Sequence, residues 1–109
     1  RVVNICTGEI GSVAAKKIDI EAWLPAQNAY REIVSCSNCT AYQSTRLNIR
    51  YRLTKGSEEK AFVHTLNSTM AASPRLLVAM LENFQQKDGS VKIPRELAKR
   101  TGIKEIAPK

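Results

Sequence analysis

Apolar positions recur along this chain with two different periods, and the periods divide it into elements. Residues 1–6, Arg-Val-Val-Asn-Ile-Cys, read as a strand. Gly8 and Gly11 then punctuate a turn into a short helical stretch over residues 12–16. Ile18, Ile20, Ala22 and Leu24 alternate with Asp19, Glu21 and Trp23 up to Pro25, the period of two expected of a strand with one buried, apolar face. Residues 26–29 form a hairpin loop, and residues 30–37 return as the antiparallel partner. A helix is predicted from residue 39 or 40 to about residue 52, with Tyr42, Leu47 and Ile49 among its apolar positions. Residues 55–60 make a polar turn, and residues 61–67 a third long strand. Between residues 74 and 86, Leu77, Met80, Leu81 and Phe84 fall at i, i+3, i+4 and i+7, and Leu76 and Val78 widen the stripe, so this helix is predicted to bury it as core. Residues 87–90 break the chain, residues 91–93 are extended, and a last helix starts at Pro94 and stops at Gly102. Strands in runs, with helices between and after them, predict an α+β fold: an antiparallel sheet flanked by helices.

The 109 residues suit one domain with a core of its own. A content of 43% hydrophobic and 25% charged residues excludes disorder and fibrous structure. The formal charge of +7 favours polyanionic partners. The bases are scattered, as Lys16, Lys17, Arg46, Arg50, Arg52, Lys55, Lys99, Arg100 and Lys104, with no tight basic tract, a distribution that suits a solvated surface better than it suits nucleic acid. No apolar run approaches the ~20 residues that span a bilayer, so no membrane partner is expected. The chain opens without methionine in what reads as mid-strand, as expected of a piece of something longer or of a processed product. Cys6, Cys36 and Cys39 are odd in number and suit a reducing compartment. That compartment is read as the cytoplasm, with the mitochondrion as alternative. Cys36 and Cys39 have zinc-knuckle spacing, but without a second close pair of ligands all three are expected to be buried thiols.

Chemistry concentrates in three places. In the first, Ser73 reads as N-cap, Pro74 as N1 and Arg75 as N2 of the strong helix, with no acid before Glu82. A cation in the first turn opposes the helix dipole unless an anion sits beside it. Free backbone N–H groups, the dipole and a guanidinium fork can together hold a phosphate. In the second, Glu32, Ser35 and Ser37 offer a carboxylate and hydroxyls that suit Mg²⁺ held jointly with substrate phosphates. The alternative is that Glu32 only pairs with Arg31 or another surface cation. Alternation sends Glu32 and Ser35 to opposite faces, so a shared ligand requires a bulge or strand end to re-aim one of them. In the third, Thr65, Asn67 and Thr69 share parity and can recognise a small polar ligand, or else form local turn bonds. His64 stands alone, and there is no Ser-His-Asp set or Gly-rich phosphate loop.

The runs Cys6-Thr-Gly-Glu-Ile-Gly, Lys17 to Pro25, Tyr30 to Cys39, His64-Thr-Leu-Asn through Pro74-Arg75, and Leu81-Glu-Asn-Phe-Gln closely resemble the seryl-tRNA synthetase family, in order and over essentially the whole chain. The resemblance implies the C-terminal part of a class II aminoacyl-tRNA synthetase catalytic domain, whose site is an antiparallel sheet flanked by helices. It implies serine–tRNA ligase activity: ATP-dependent activation of serine, then transfer to tRNA(Ser), with the intact enzyme a homodimer. Arg75 matches the motif 3 arginine that holds the ATP γ-phosphate. Glu32 and Ser35 match positions that bind ATP and its Mg²⁺, with Ile33 and Val34 along the nucleotide. Thr69 matches the serine-contacting position, with Asn67 beside it.

Two departures qualify the resemblance. Where the family reads Asp-Phe-Gln-Ala-Arg-Arg or close to it, this chain has Ala41-Tyr-Gln-Ser-Thr45-Arg46, which removes an acid and a base four residues apart. The expectation is that a helical ion pair was lost as a unit, so that restoring both does more than restoring either. The family's motif 1, motif 2 and N-terminal tRNA-binding coiled coil have no counterpart in these residues, so the isolated chain is expected to be inactive or weakly active. The alternatives are a non-catalytic synthetase-like module that binds nucleotide or RNA, and a purely structural basic RNA-binding domain.

Overall fold

The computed structural model describes residues 1–108. It divides into two compact units, residues 1–20 with 34–70 and residues 21–33 with 71 onward. Antiparallel strands and three α-helices make up both, the α+β composition expected.

In the first unit, β1 (Val2–Asn4) pairs antiparallel with the start of β2 (Lys16–Leu24), matching Val2 to Ile20 and Asn4 to Ile18. The later half of β3 (Ala29–Thr40) pairs with β6 (Thr65–Thr69), and the sheet order is β1-β2-β3-β6. The stretch predicted as helical over residues 12–16 is a bend that leads into β2. Five residues cannot repay the cost of nucleating a helix, and the Ala15 N–H donates to Asn38 O at 2.8 Å instead. Alternation in β2 is also not as expected. Asp19 is buried at 4% exposure, with Oδ1 unpaired among the described residues, whereas Ile20 is exposed.

The helix predicted to reach residue 52 is much shorter: α1 covers Tyr42–Leu47. Asn48 closes it in the left-handed region with φ 53°, donating its backbone N–H to Ser44 O, a C-terminal conformation that asparagine tolerates better than most residues. Beyond it, β4 (Arg50–Arg52) pairs with β5 (Lys60–Phe62) as a separate hairpin. The long third strand is therefore two strands, β5 and β6, which join different sheets. Thr40 has φ 45° beside the register shift between Asn38 and Thr40. For a β-branched residue that is an outlier, held here at a bulge in which Asn38 Oδ1 accepts from Thr40 N at 3.0 Å.

In the second unit, a 3₁₀ turn at Pro25–Gln27 ends in left-handed Asn28 and joins the outer halves of β2 and β3. Trp23 and Tyr30 meet edge-on there, with centroids 5.0 Å apart. The strong helix is α2 (Ser73–Phe84). Glu82 accepts from Ala26 N at 2.9 Å, and Asn83 Nδ2 donates to Trp23 O at 2.9 Å, tying α2 to that hairpin tip. The predicted core stripe is only partly covered: Ala79 is buried and Leu76 and Met80 half-buried, but Leu77, Leu81 and Phe84 are exposed. The polar anchors Glu82 and Asn83 turn the covered face away from that stripe. A glycine turn at Gly89 (φ 85°) leads to β7 (Val91–Lys92). α3 (Arg95–Thr101) ends at left-handed Gly102 as predicted, and β8 (Glu105–Ile106), which was not foreseen, pairs with β7. No helix among the described residues is long and apolar enough to cross a membrane.

Candidate functional site

The first turn of α2 positions Arg75, although its register differs from the expected one by a residue. Ala72 is the N-cap, extended at φ −73° and ψ 91°, and no side chain caps the helix. Its own N–H is taken by Ile33 O at 2.7 Å, so the chain turns helical only at Ser73 and Arg75 is the third helical residue. Pro74 has no N–H to leave unpaired in this turn, where the helix itself offers no acceptor. No acid lies in the first turn.

The missing anion is Glu32. Arg75 Nη1 donates to the Glu32 backbone oxygen at 2.6 Å and lies 3.4 Å from Glu32 Oε1. Two residues singled out separately in the sequence therefore meet, within one unit of the fold. Arg31, the other cation considered for Glu32, is engaged elsewhere, with Nε donating to Gln27 Oε1 at 2.8 Å. The Arg75 side chain is 53% exposed and that of Glu32 34%. An exposed pair of this kind contributes about 0–1 kcal/mol, so it leaves the guanidinium able to exchange its partner for a phosphate at small cost.

Ser35 and Ser37 belong to the other unit. Ser35 lies directly opposite Thr69, and Ser37 opposite Asn67. With a period of two, these four small polar residues share one face of the β3–β6 ladder. Asn67 and Thr69 are exposed, as recognition of a small polar ligand requires. Thr65 does not join them. Its hydroxyl donates to Gln43 Oε1 at 2.6 Å and ties β6 to α1, a structural use. The irregularity in β3 falls between Asn38 and Thr40, beyond the Glu32–Ser35 stretch that needed one. Ile33 and Val34 are half-buried between those two residues.

The thiol expectation needs correction, because only Cys39 is buried while Cys6 and Cys36 are exposed. Cys36 lies opposite Ser68, on the other face of the ladder from Ser35 and Ser37. No cluster of three or more His, Cys, Asp or Glu that could hold a metal occurs among the described residues. Glu32 therefore belongs to no such cluster, and suits Mg²⁺ only in company with ligand phosphates and water. His64 is exposed between β5 and β6. Ala41 is the N-cap of α1, and Thr45 Oγ1 donates to its carbonyl at 2.9 Å, so the two departing positions are joined by a neutral bond. Sequence reasoning missed the anchors Glu82, Asn83 and Gln43, since nothing in their spacing names a partner some 20 to 60 residues away.

Residues 1–84 match the family profile described as tRNA synthetase class II core domain (G, H, P, S and T). The serine–tRNA ligase of Pyrococcus furiosus is 63% identical over 108 residues, 99% of this chain and 24% of that protein. That of Methanospirillum hungatei is 64% identical over 106 residues, covering 97% and 25%. The chain thus spans about a quarter of the length of these relatives. Among solved structures, seryl-tRNA synthetase from Pyrococcus horikoshii complexed with ATP superposes with TM-score 0.92 at 60% identity, over 100% of this chain and 24% of that one. The cytoplasmic serine-tRNA ligase of Naegleria fowleri in complex with AMP gives 0.86 at 46% identity, over 100% and 26%. With more than half of its residues matched by that profile, the chain belongs to the class II tRNA synthetase core domain family.

Proposed function

We propose that this chain forms part of a serine–tRNA ligase, contributing residues that bind ATP and recognise serine. The observation that carries the proposal is the pairing of Arg75 with Glu32 at the start of α2. In this reading a serine carboxylate oxygen attacks the α-phosphorus of ATP. Pyrophosphate leaves, and the seryl group of the adenylate then passes to the terminal ribose of tRNA(Ser). Arg75 takes the γ-phosphate, exchanging an exposed carboxylate for a more highly charged anion while the dipole of α2 adds to the attraction. Glu32 and Ser35 contribute a carboxylate and a hydroxyl to Mg²⁺ and the nucleotide, and Ile33 and Val34 line it. Mg²⁺, when bound, supplies neutralisation of phosphate charge. Thr69, with Asn67, hydrogen-bonds serine. A site built to pair a substrate hydroxyl can reject analogues without one by ~10⁴-fold.

The nucleotides in the names of the two superposed relatives, ATP and AMP, support the reading. The exposed thiols of Cys6 and Cys36 suit a reducing compartment, the cytoplasm in this reading. Because the chain spans only about a quarter of those relatives, its activity in isolation is expected to be small. Serine-dependent exchange of pyrophosphate into ATP, measured on the protein that contains this chain and on its Arg75→Ala variant, tests the proposal. A loss of about 100-fold or more fits one removed charge-stabilising donor. An unchanged rate rejects the role of Arg75.

A further inference from the structure

The β4–β5 hairpin carries a second concentration of charge, in residues that the proposed function does not use. Arg52 lies directly opposite Lys60, and Arg50 opposite Phe62. The strand period places all four on one face: three cations and a phenyl ring. Like charges directly opposite one another destabilise a ladder. The one carboxylate partner is Glu58, 4.0 Å from Arg52 with its own side chain 91% exposed. Arg50 and Lys60 have no carboxylate partner among the described residues. From residue 46 to residue 60, five Lys and Arg stand against two Glu.

Arg50 is nonetheless held in place. Its Nε donates to Asn48 Oδ1 at 2.9 Å, and its guanidinium carbon lies 4.6 Å from the Phe62 ring centre. Stacking on the ring and a bond at Nε use neither terminal nitrogen, and those two make a fork of the kind suited to phosphate oxygens. Asn48, Arg50, Tyr51, Arg52 and Lys60 line a hollow of about 430 Å³.

We propose that this hairpin face is a contact for the phosphodiester backbone of RNA. A small anion is best held by convergent donors in a loop or at a helix end. Here the cations instead run along an extended strand, where alternate residues stand ~6.4–6.8 Å apart, comparable to successive phosphates on a nucleic-acid strand. All of the residues lining the hollow are exposed, as a surface meeting a long polyanion must be. The partner class is one that the proposed function already requires, so the inference deepens that reading. The contact surface is new, and it uses neither Arg75 nor Thr69.

The test is fluorescence anisotropy of a labelled RNA hairpin of arbitrary sequence, without ATP or serine, at salt from about 50 to 200 mM. The chain is compared with an Arg50→Gln, Arg52→Gln, Lys60→Gln variant and with a Lys99→Gln, Arg100→Gln, Lys104→Gln variant of equal net charge. The hairpin variant is expected to bind at least ~10-fold more weakly, with the salt slope reduced by about 2 to 3, and the control variant to change far less. Equal weakening in both variants, or none in either, overturns the proposal. So does displacement of the RNA by inorganic phosphate at an equal concentration of phosphate groups, which marks a small-anion site. Lysine acetylation of the unmutated chain supplies a readout independent of variant folding. RNA should protect Lys60 but not Lys99 or Lys104, and an unprotected Lys60 overturns the proposal. Because neither ATP nor serine is present, failure here leaves the proposed ligase role standing. Loss of nucleotide binding in Arg75→Ala leaves the hairpin contact standing.

Discussion

Arg75 meets Glu32 through two different oxygens, donating to the backbone carbonyl at 2.6 Å and lying 3.4 Å from the carboxylate. The two contacts have different consequences. The carbonyl bond fixes where the guanidinium is, and it survives any change of side chain at position 32. The carboxylate contact compensates its charge. Glu32→Gln should therefore leave Arg75 in place but unneutralised, whereas Arg75→Ala removes both. Because the pair is exposed, thermal unfolding of the two single variants and the double variant should give a coupling below about 1 kcal/mol. A coupling of several kcal/mol would make the pair a structural bridge with no freedom to take up phosphate.

Thr65 and Gln43 supply the contrasting case, a polar pair that serves the fold. The 2.6 Å bond between them is partly buried. Thr65→Val should lower stability by about 1–2 kcal/mol, since Gln43 loses its donor. Nucleotide and serine binding should be unaffected. Loss of serine binding at unchanged stability would place Thr65 with Asn67 and Thr69 after all.

Asp88 sets a pH dependence in the second unit. Ser90 donates to its carboxylate through Oγ at 2.8 Å and through its backbone N–H at 3.0 Å. These bonds, the hydroxyl's first, hold the carboxyl below its ordinary value of 3.8. A depressed folded pKa stabilises the fold above the ordinary value, and that stability is lost as pH falls through the folded one. Thermal melts should therefore show the wild-type chain losing more stability below about pH 4 than Asp88→Asn does. Parallel pH profiles would show that the Ser90 bonds do not distinguish folded from unfolded chain.

The sequence expectation for Ala41 and Thr45 changes once their places in α1 are known. Ala41 is the N-cap, without a side-chain cap, and the first turn carries no acid. Ala41→Asp alone should then add about 0.5–1 kcal/mol through the helix dipole. Thr45→Arg alone should gain little, because it gives up the hydroxyl bonds to Ala41 and Tyr42 carbonyls. Chemical denaturation of the three variants separates this from a pure ion-pair effect, in which neither single change gains and only the double does.

What was legible in the sequence was whatever depends on near neighbours. The alternation before Pro25, the apolar spacing of residues 77–84 and the Pro94 to Gly102 boundaries each state a period or a stop, and each element is present. Elements that depend on partners were misread. Residues 50–52 continue a helical pattern on paper, yet left-handed Asn48 ends α1 and Lys60–Phe62 supplies a ladder. Asp19 stands at a polar position of the alternation and is nonetheless buried, which the period of its own strand does not signal. At the candidate site, the misplaced charge of Arg75 was visible as a conflict with the helix dipole. That Glu32 resolves it, 43 residues earlier in the chain, was fixed only by the fold.

Calorimetric titration of a non-hydrolysable seryl-adenylate analogue carrying a pyrophosphate mimic, into the chain and its Arg75→Ala and Thr69→Ala variants, tests the central assignment most directly. The expected result is heat of binding in the unsubstituted chain and an affinity at least ~10-fold lower in either variant, equivalent to about 1.4 kcal/mol. Equal affinity in all three folded proteins would contradict the assignment of phosphate to Arg75 and of serine to Thr69.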